Sequence, residues 1–127
     1  MTKQLKQALV LFAHGARDPR WAEPFRKLAD RVQTQRPDVI VKLAFLELMS
    51  PRLPECVPQL VEEGCDMIVV VPVFLGQGGH VLRDLPLLVD ELRRIFPLVQ
   101  LDIAQAVGED DSVQAAMARY CAATLVR

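Results

Sequence analysis

The nine residues Met67-Ile68-Val69-Val70-Val71-Pro72-Val73-Phe74-Leu75 carry no polar side chain. A membrane-spanning helix needs about 20 apolar residues, so this run is too short to be one. It has the length of a strand hidden on both faces, and such strands sit inside parallel sheets with helices packed on each side. The rest of the chain fits that frame. Strands are expected at Gln7–Ala13, Val39–Phe45, Met67–Val73 and Leu98–Ile103. Between and after them, apolar residues recur at helical spacing over Arg20–Gln35, Pro54–Glu63, Asp84–Phe96 and Asp111–Val126. Pro37, Gly64 and Pro97 punctuate the first three helices. Strand and helix alternate throughout, which predicts a single doubly wound α/β domain with a mostly parallel four-stranded sheet. Right-handed crossovers favour the strand order 2-1-3-4.

At 127 residues the chain suits one domain, residues 1–127, without repeat or linker. A net charge of −1 argues against a nucleic-acid surface, and no apolar run argues for a membrane span. No signal-peptide pattern precedes the first strand, so cytoplasm is expected. Cys56, Cys65 and Cys121 follow no zinc spacing and read as buried, reduced thiols. The last helix is rich in alanine and other apolar residues from Val113 to Val126. Either it packs deeply on the sheet or part of it meets another subunit.

The chain has two histidines, and each follows an apolar strand. His14 closes the first strand; His80 follows the third, after the turn Gly76-Gln77-Gly78-Gly79. Glu47 lies just past the second strand. In a parallel α/β sheet the C-terminal ends of the strands converge on one edge, where ligands bind. His14, Glu47 and His80 can therefore share a cleft, and two imidazoles with one carboxylate suit a divalent first-row metal. The alternative for each is local: a hydrogen-bonding histidine, or a solvent-facing glutamate. The glycines serve either as turn residues or as bare backbone against which a flat ligand lies. No P-loop ending in Gly-Lys-Ser/Thr is present, which weakens a phosphate-binding reading. Arg17, Arg52 and Arg83 each follow one of the three strand ends. Guanidinium forks there suit an acidic ligand, or else pair with helix-terminal carboxylates such as Asp18 and Asp84.

Three motifs together carry a resemblance. They are His14-Gly15-Ala16-Arg17-Asp18-Pro19, Ala44-Phe45-Leu46-Glu47, and Pro72-Val73-Phe74-Leu75 with Gly79-His80 and Asp84-Leu85-Pro86. In order and spacing, from about Leu9 to Phe96, the chain resembles the small sirohydrochlorin chelatases of the CbiX/SirB type. The family commonly has serine where Ala16 stands. The resemblance implies a half-size chelatase fold that assembles as a homodimer. It implies insertion of Co²⁺ or Fe²⁺ (Ni²⁺ is a third candidate) into sirohydrochlorin, a tetrapyrrole with eight carboxylates. No ATP and no prosthetic group is implied; the metal is a substrate. A non-catalytic metal carrier using the same cluster is the alternative.

Residue by residue, His14 and His80 match the family's metal-binding histidines, His14 also as proton acceptor, and Glu47 matches an acidic residue assisting at the metal. Ser50 and the stretch Leu75, Gly76, Gln77, Gly78, Gly79, His80 match segments that contact the macrocycle. Arg17, Arg52 and Arg83 then become partners of its carboxylates. If the two histidines divide the work, His14 is expected to be the base and His80 the ligand.

Overall fold

The computed structural model describes residues 5–76 and 78–126, and the side chains of residues 79–82 lie outside that description. Strands β1 (Gln7–Ala13), β2 (Ile40–Phe45), β3 (Met67–Pro72) and β4 (Gln100–Ile103) form one sheet in the order β2-β1-β3-β4, every pairing parallel. This is the expected order. Helices α1 (Glu23–Gln35), α2 (Leu53–Glu62), α3 (Gly79–Ile95) and α4 (Asp111–Ala123) complete the alternation.

Several element ends differ from the sequence reading, and proline and glycine explain most of them. The first helix is split: Pro19–Ala22 is a 3-10 turn, capped by the Asp18 carboxylate, and α1 starts at Glu23. Pro24, in the first turn of α1, has no N–H to extend a helix backwards. The third helix starts at Gly79, not Asp84, and runs through Pro86. Pro86 reads as a helix start because proline favours first turns, yet Gly78 is the N-cap. Gly79 and His80 therefore belong to the first turn of α3, not to the preceding loop. The fourth strand is shorter than expected, since Leu98 is almost wholly exposed in the turn that follows α3.

The two faces of the sheet differ. On one, Ala8, Val10 and Phe12 of β1 and Ile68 and Val70 of β3 meet Leu53, Val57 and Leu60 of α2 and Leu85, Val89 and Leu92 of α3. Phe12 and Phe74 pack edge to face, centroids 6.1 Å apart. On the other face only a small cluster forms, Ala13, Ala22 and Phe45 with Trp21 and Phe25 packed against it. That cluster holds α1 over β2 and the end of β1. On β3, Met67, Val69 and Val71 stay half-buried on this side, alternating with buried partners.

The last helix packs deeply on nothing. None of the residues of α4 is buried, and all but Val113 and Met117 are exposed. Cys121 is consequently exposed, not buried as expected, while Cys56 and Cys65 are buried as expected. Burial pushes the Cys56 thiol up to about 11, so it stays protonated and inert at neutral pH.

Candidate active site

The tails of β2 and β3 are hydrogen-bonded to either side of the tail of β1. Leu46 N–H donates to Ala13 O at 2.9 Å and Glu47 N–H to His14 O at 3.1 Å. Val73 N–H donates to Phe12 O at 2.8 Å on the other side. The crossing of the first two tails is close. Gly15 has φ +98°, and a Cβ built there would lie 1.8 Å from the Glu47 carbonyl oxygen. Only glycine lets the β1 tail pass over Glu47.

This contact sets His14 beside Glu47. The His14 Nε2 and Glu47 Oε1 are 3.0 Å apart, with both side chains about half exposed. The pair is thus formed yet open to solvent at the sheet edge. Among the described residues no group of three His, Cys, Asp or Glu converges. The His80 side chain and Gln77 lie outside the described residues. The backbone places His80 in the first turn of α3, on the tail leaving β3.

Glu47 rides on a closed loop. The Phe45 N–H donates to Pro51 O at 2.9 Å and Phe45 bridges Arg52, so residues 46–51 leave β2 and return to it. At the tip Leu48 has φ +67° and is 58% exposed. A left-handed leucine costs roughly 1–2 kcal/mol, and such strain concentrates at functional sites. Nothing in the sequence marks Leu48, since leucine has no preference for that conformation. Leu75, on the β3 tail, is 72% exposed. Ser50 is also exposed.

We expect Leu48→Gly to leave stability unchanged or raise it by about 0.5 kcal/mol in urea unfolding. Relief of the strain slightly outweighs the flexibility glycine adds to the unfolded chain. A clear loss of stability would show that the leucine side chain is packed.

Gly76 and Gly78 do not have positive φ, and a Cβ on either would meet nothing within 4 Å. The fold does not require them, so what they contribute is bare backbone. Gly108 is the reverse case, and sequence reading missed it. A Cβ there would lie 2.2 Å from the Leu75 Cα, and Gly108 N–H donates to Phe74 O at 2.8 Å. The turn before α4 is thereby clamped against the β3 tail.

The three arginines part company. Arg17 is exposed, and Asp18 pairs with Arg20, not with it; that guanidinium holds the Asp18 carboxyl below the usual carboxylate range. Arg52 is the N-cap of α2, where the Glu55 carboxylate accepts from its backbone N–H at 3.2 Å and from its Nε at 3.4 Å. It does the work of a helix terminus. Arg83 is exposed on α3.

Comparison with known proteins agrees with this layout. The CbiX family model matches residues 8–124. The sirohydrochlorin cobaltochelatase of Methanocaldococcus jannaschii is 41% identical over 80 residues, 63% of this chain and 56% of that one. This chain thus spans little more than half the length of that relative. The sirohydrochlorin cobaltochelatase of Sulfolobus acidocaldarius is 31% identical over 105 residues, 83% of this chain and 81% of that one. A CbiX protein from Marinobacter aquaeolei VT8 superposes with a TM-score of 0.82 at 28% identity, covering 93% of this chain and 96% of that one. Bacillus subtilis SirB, solved with Fe³⁺, shares the fold at TM-score 0.82 and 23% identity, with this chain covering 49% of it. A match that opens in β1 and ends just past α4, on a shared fold, makes this chain a member of the CbiX family.

Proposed function

We propose that this protein inserts a divalent metal into sirohydrochlorin without ATP, working as a homodimer in the cytoplasm. The observation that carries the reading is the His14–Glu47 pair, 3.0 Å apart and open to solvent on the edge where parallel strand tails meet. The names of the relatives favour Co²⁺ over Fe²⁺ and Ni²⁺. Among the described residues no helix is long and apolar enough to cross a membrane.

The 3.0 Å contact with Glu47 supports different tasks for the two nitrogens of His14. A carboxylate only accepts hydrogen bonds, so in this reading the Nε2 facing Glu47 is the donor. Nδ1 is then left with a lone pair, for the metal first and a proton later. Metal insertion exchanges two pyrrole N–H protons for one M²⁺. With the metal held by His14 and His80, each ring nitrogen that takes the metal frees an imidazole to accept a proton. Glu47 stabilises the imidazolium so formed and passes protons to solvent. The exposed Leu48 and Leu75, on tails flanking His14, offer apolar contact to the macrocycle. The bare backbone of Gly76 and Gly78 lets the ring lie close.

Anaerobic incubation with sirohydrochlorin and each metal, followed by absorbance, tests the activity. Catalytic turnover with Co²⁺ is the expected result. Metal binding without turnover would instead mark a metal carrier. In the same assay Arg17→Ala is expected to raise KM about 3- to 10-fold with kcat little changed, as loss of one exposed guanidinium–carboxylate contact should. Arg52→Ala should lower stability and leave KM alone, because Arg52 serves Glu55 and α2.

A further inference from the structure

On the β3 tail the Leu75 side chain is 72% exposed, yet its backbone is held from both sides. Towards β1, Val73 N–H donates to Phe12 O at 2.8 Å. On the other side the tail meets the turn that precedes α4. There Gly108 N–H donates to Phe74 O at 2.8 Å, and a Cβ on Gly108 would lie 2.2 Å from both the Cα and the carbonyl oxygen of Leu75. Gly108 does not have positive φ, so the approach of Leu75, and not the shape of the turn, requires glycine. The Gly108 carbonyl is bound as well: the side-chain amide of Gln114, on α4, donates to it. The Asp110 cap sets that reach. Its carboxylate accepts from Ser112 N–H and Val113 N–H, and its carbonyl accepts from Gln114 N–H at 3.0 Å. The start of the turn is anchored to the sheet, with Ala104 N–H donating to Val70 O at 2.8 Å and Ala106 buried. Beyond Leu75 the close approach ends, since a Cβ on Gly76 or Gly78 would meet nothing within 4 Å.

We propose that Gly108 and Gln114 are positioning residues: they hold the Leu75 backbone so that its exposed side chain stands ready to meet the apolar face of the tetrapyrrole. The identity of the ligand is that of the proposed function, on which this assignment rests. An apolar side chain presented on a fixed backbone binds without the further cost of ordering the chain that carries it. The two peptide groups that flank the Gly108 Cα are tied in opposite directions, one to the β3 tail and one to α4. That leaves the Cα fixed against Leu75. Without the Gln114 amide, the peptide that follows Gly108 is free to rotate and the turn can back away from Leu75. Gln105 makes a neighbouring bond in the same turn, to Glu109 O at 3.3 Å, and so supports the turn without tying the Gly108 carbonyl.

The test is a double-mutant cycle, read as the Kd for metal-free sirohydrochlorin by absorbance titration. Gly108→Ala would press on the Leu75 backbone but also strain the fold, so the exposed Gln114 is the probe. Leu75→Ala should weaken binding about 10-fold, through loss of most of one apolar side chain's contact. Gln114→Met keeps the length and lacks a donor; it should weaken binding about 3-fold, the size of one lost hydrogen bond. In the Leu75→Ala background the Gln114→Met effect should vanish, because it acts through Leu75. A role in stability alone would not give that dependence. Gln105→Met, the control, should keep the wild-type Kd. Losses at Leu75 and Gln114 that multiply overturn the proposal. So does a wild-type Kd in either single variant, or an equal loss of affinity in Gln105→Met. Metal insertion is read separately with Co²⁺. Binding without insertion overturns the chelatase reading and not the positioning, whereas a wild-type protein that does not bind the tetrapyrrole overturns both.

Discussion

His14→Ala is expected to lower the rate of metal insertion by about 10³-fold, within the range for loss of a positioned acid–base group. In the proposed function the imidazole is both metal ligand and proton acceptor, so no neighbour compensates for both losses. The fold should survive, since the side chain is about half exposed and substitutions at such positions cost little stability. Glu47→Gln makes the informative contrast. Its amide oxygen can still accept from Nε2, so the imidazole keeps its tautomer, but the negative charge is gone. Removing a group that orients a metal ligand typically costs 10- to 100-fold in affinity or activity. The expected order is therefore wild type, then Glu47→Gln, then His14→Ala, with unfolding curves that overlay. Comparable rates in all three proteins would remove the pair from the chemistry.

Gly15→Ala is expected to destabilise the protein by about 3 kcal/mol and to lose activity with it. Two penalties coincide. The residue sits at φ +98°, where a side chain is strained, and the new methyl would overlap the Glu47 carbonyl oxygen at 1.8 Å. The clashing atom is backbone, so relief requires the β1 and β2 tails to separate, which pulls His14 from Glu47. For a domain of this size that is a fall of roughly 10 °C in Tm. Gly76→Ala and Gly78→Ala serve as controls, because a methyl on either meets nothing. They should keep the wild-type Tm, and any fall in their activity would come from the ligand side. A Gly15→Ala protein as stable as wild type would mean the tails do not cross as closely as described.

The strands and their order were legible in the sequence because apolar runs of strand length alternate with helical periodicity, and crossover handedness leaves few arrangements. Placement of His14 and Glu47 on one edge followed from that order alone. The start of α3 was not legible: Gly78 and Gly79 resemble a turn as much as a helix start, and Pro86 suggests a later one. Nor was the role of Gly108, which depends on Leu75, a residue distant in sequence. The left-handed Leu48 leaves no trace either, since its backbone is held by the return of the loop to Phe45. The placement of α4 was ambiguous for a physical reason. Its alanines and other apolar residues read as a buried helix, yet none of the residues of α4 is buried within the chain.

The central claim is that the metal sits on the protein before it enters the ring and leaves as it does so. One experiment reads both events. The protein is loaded with one equivalent of Co²⁺ and mixed anaerobically with sirohydrochlorin in a single turnover. The d–d absorption of protein-bound Co²⁺ and the band of the metallated tetrapyrrole are followed together. The expected result is loss of the first and growth of the second at one shared rate, with the first signal absent in His14→Ala. Growth of the metallated product while the protein-bound signal stays constant would contradict the claim.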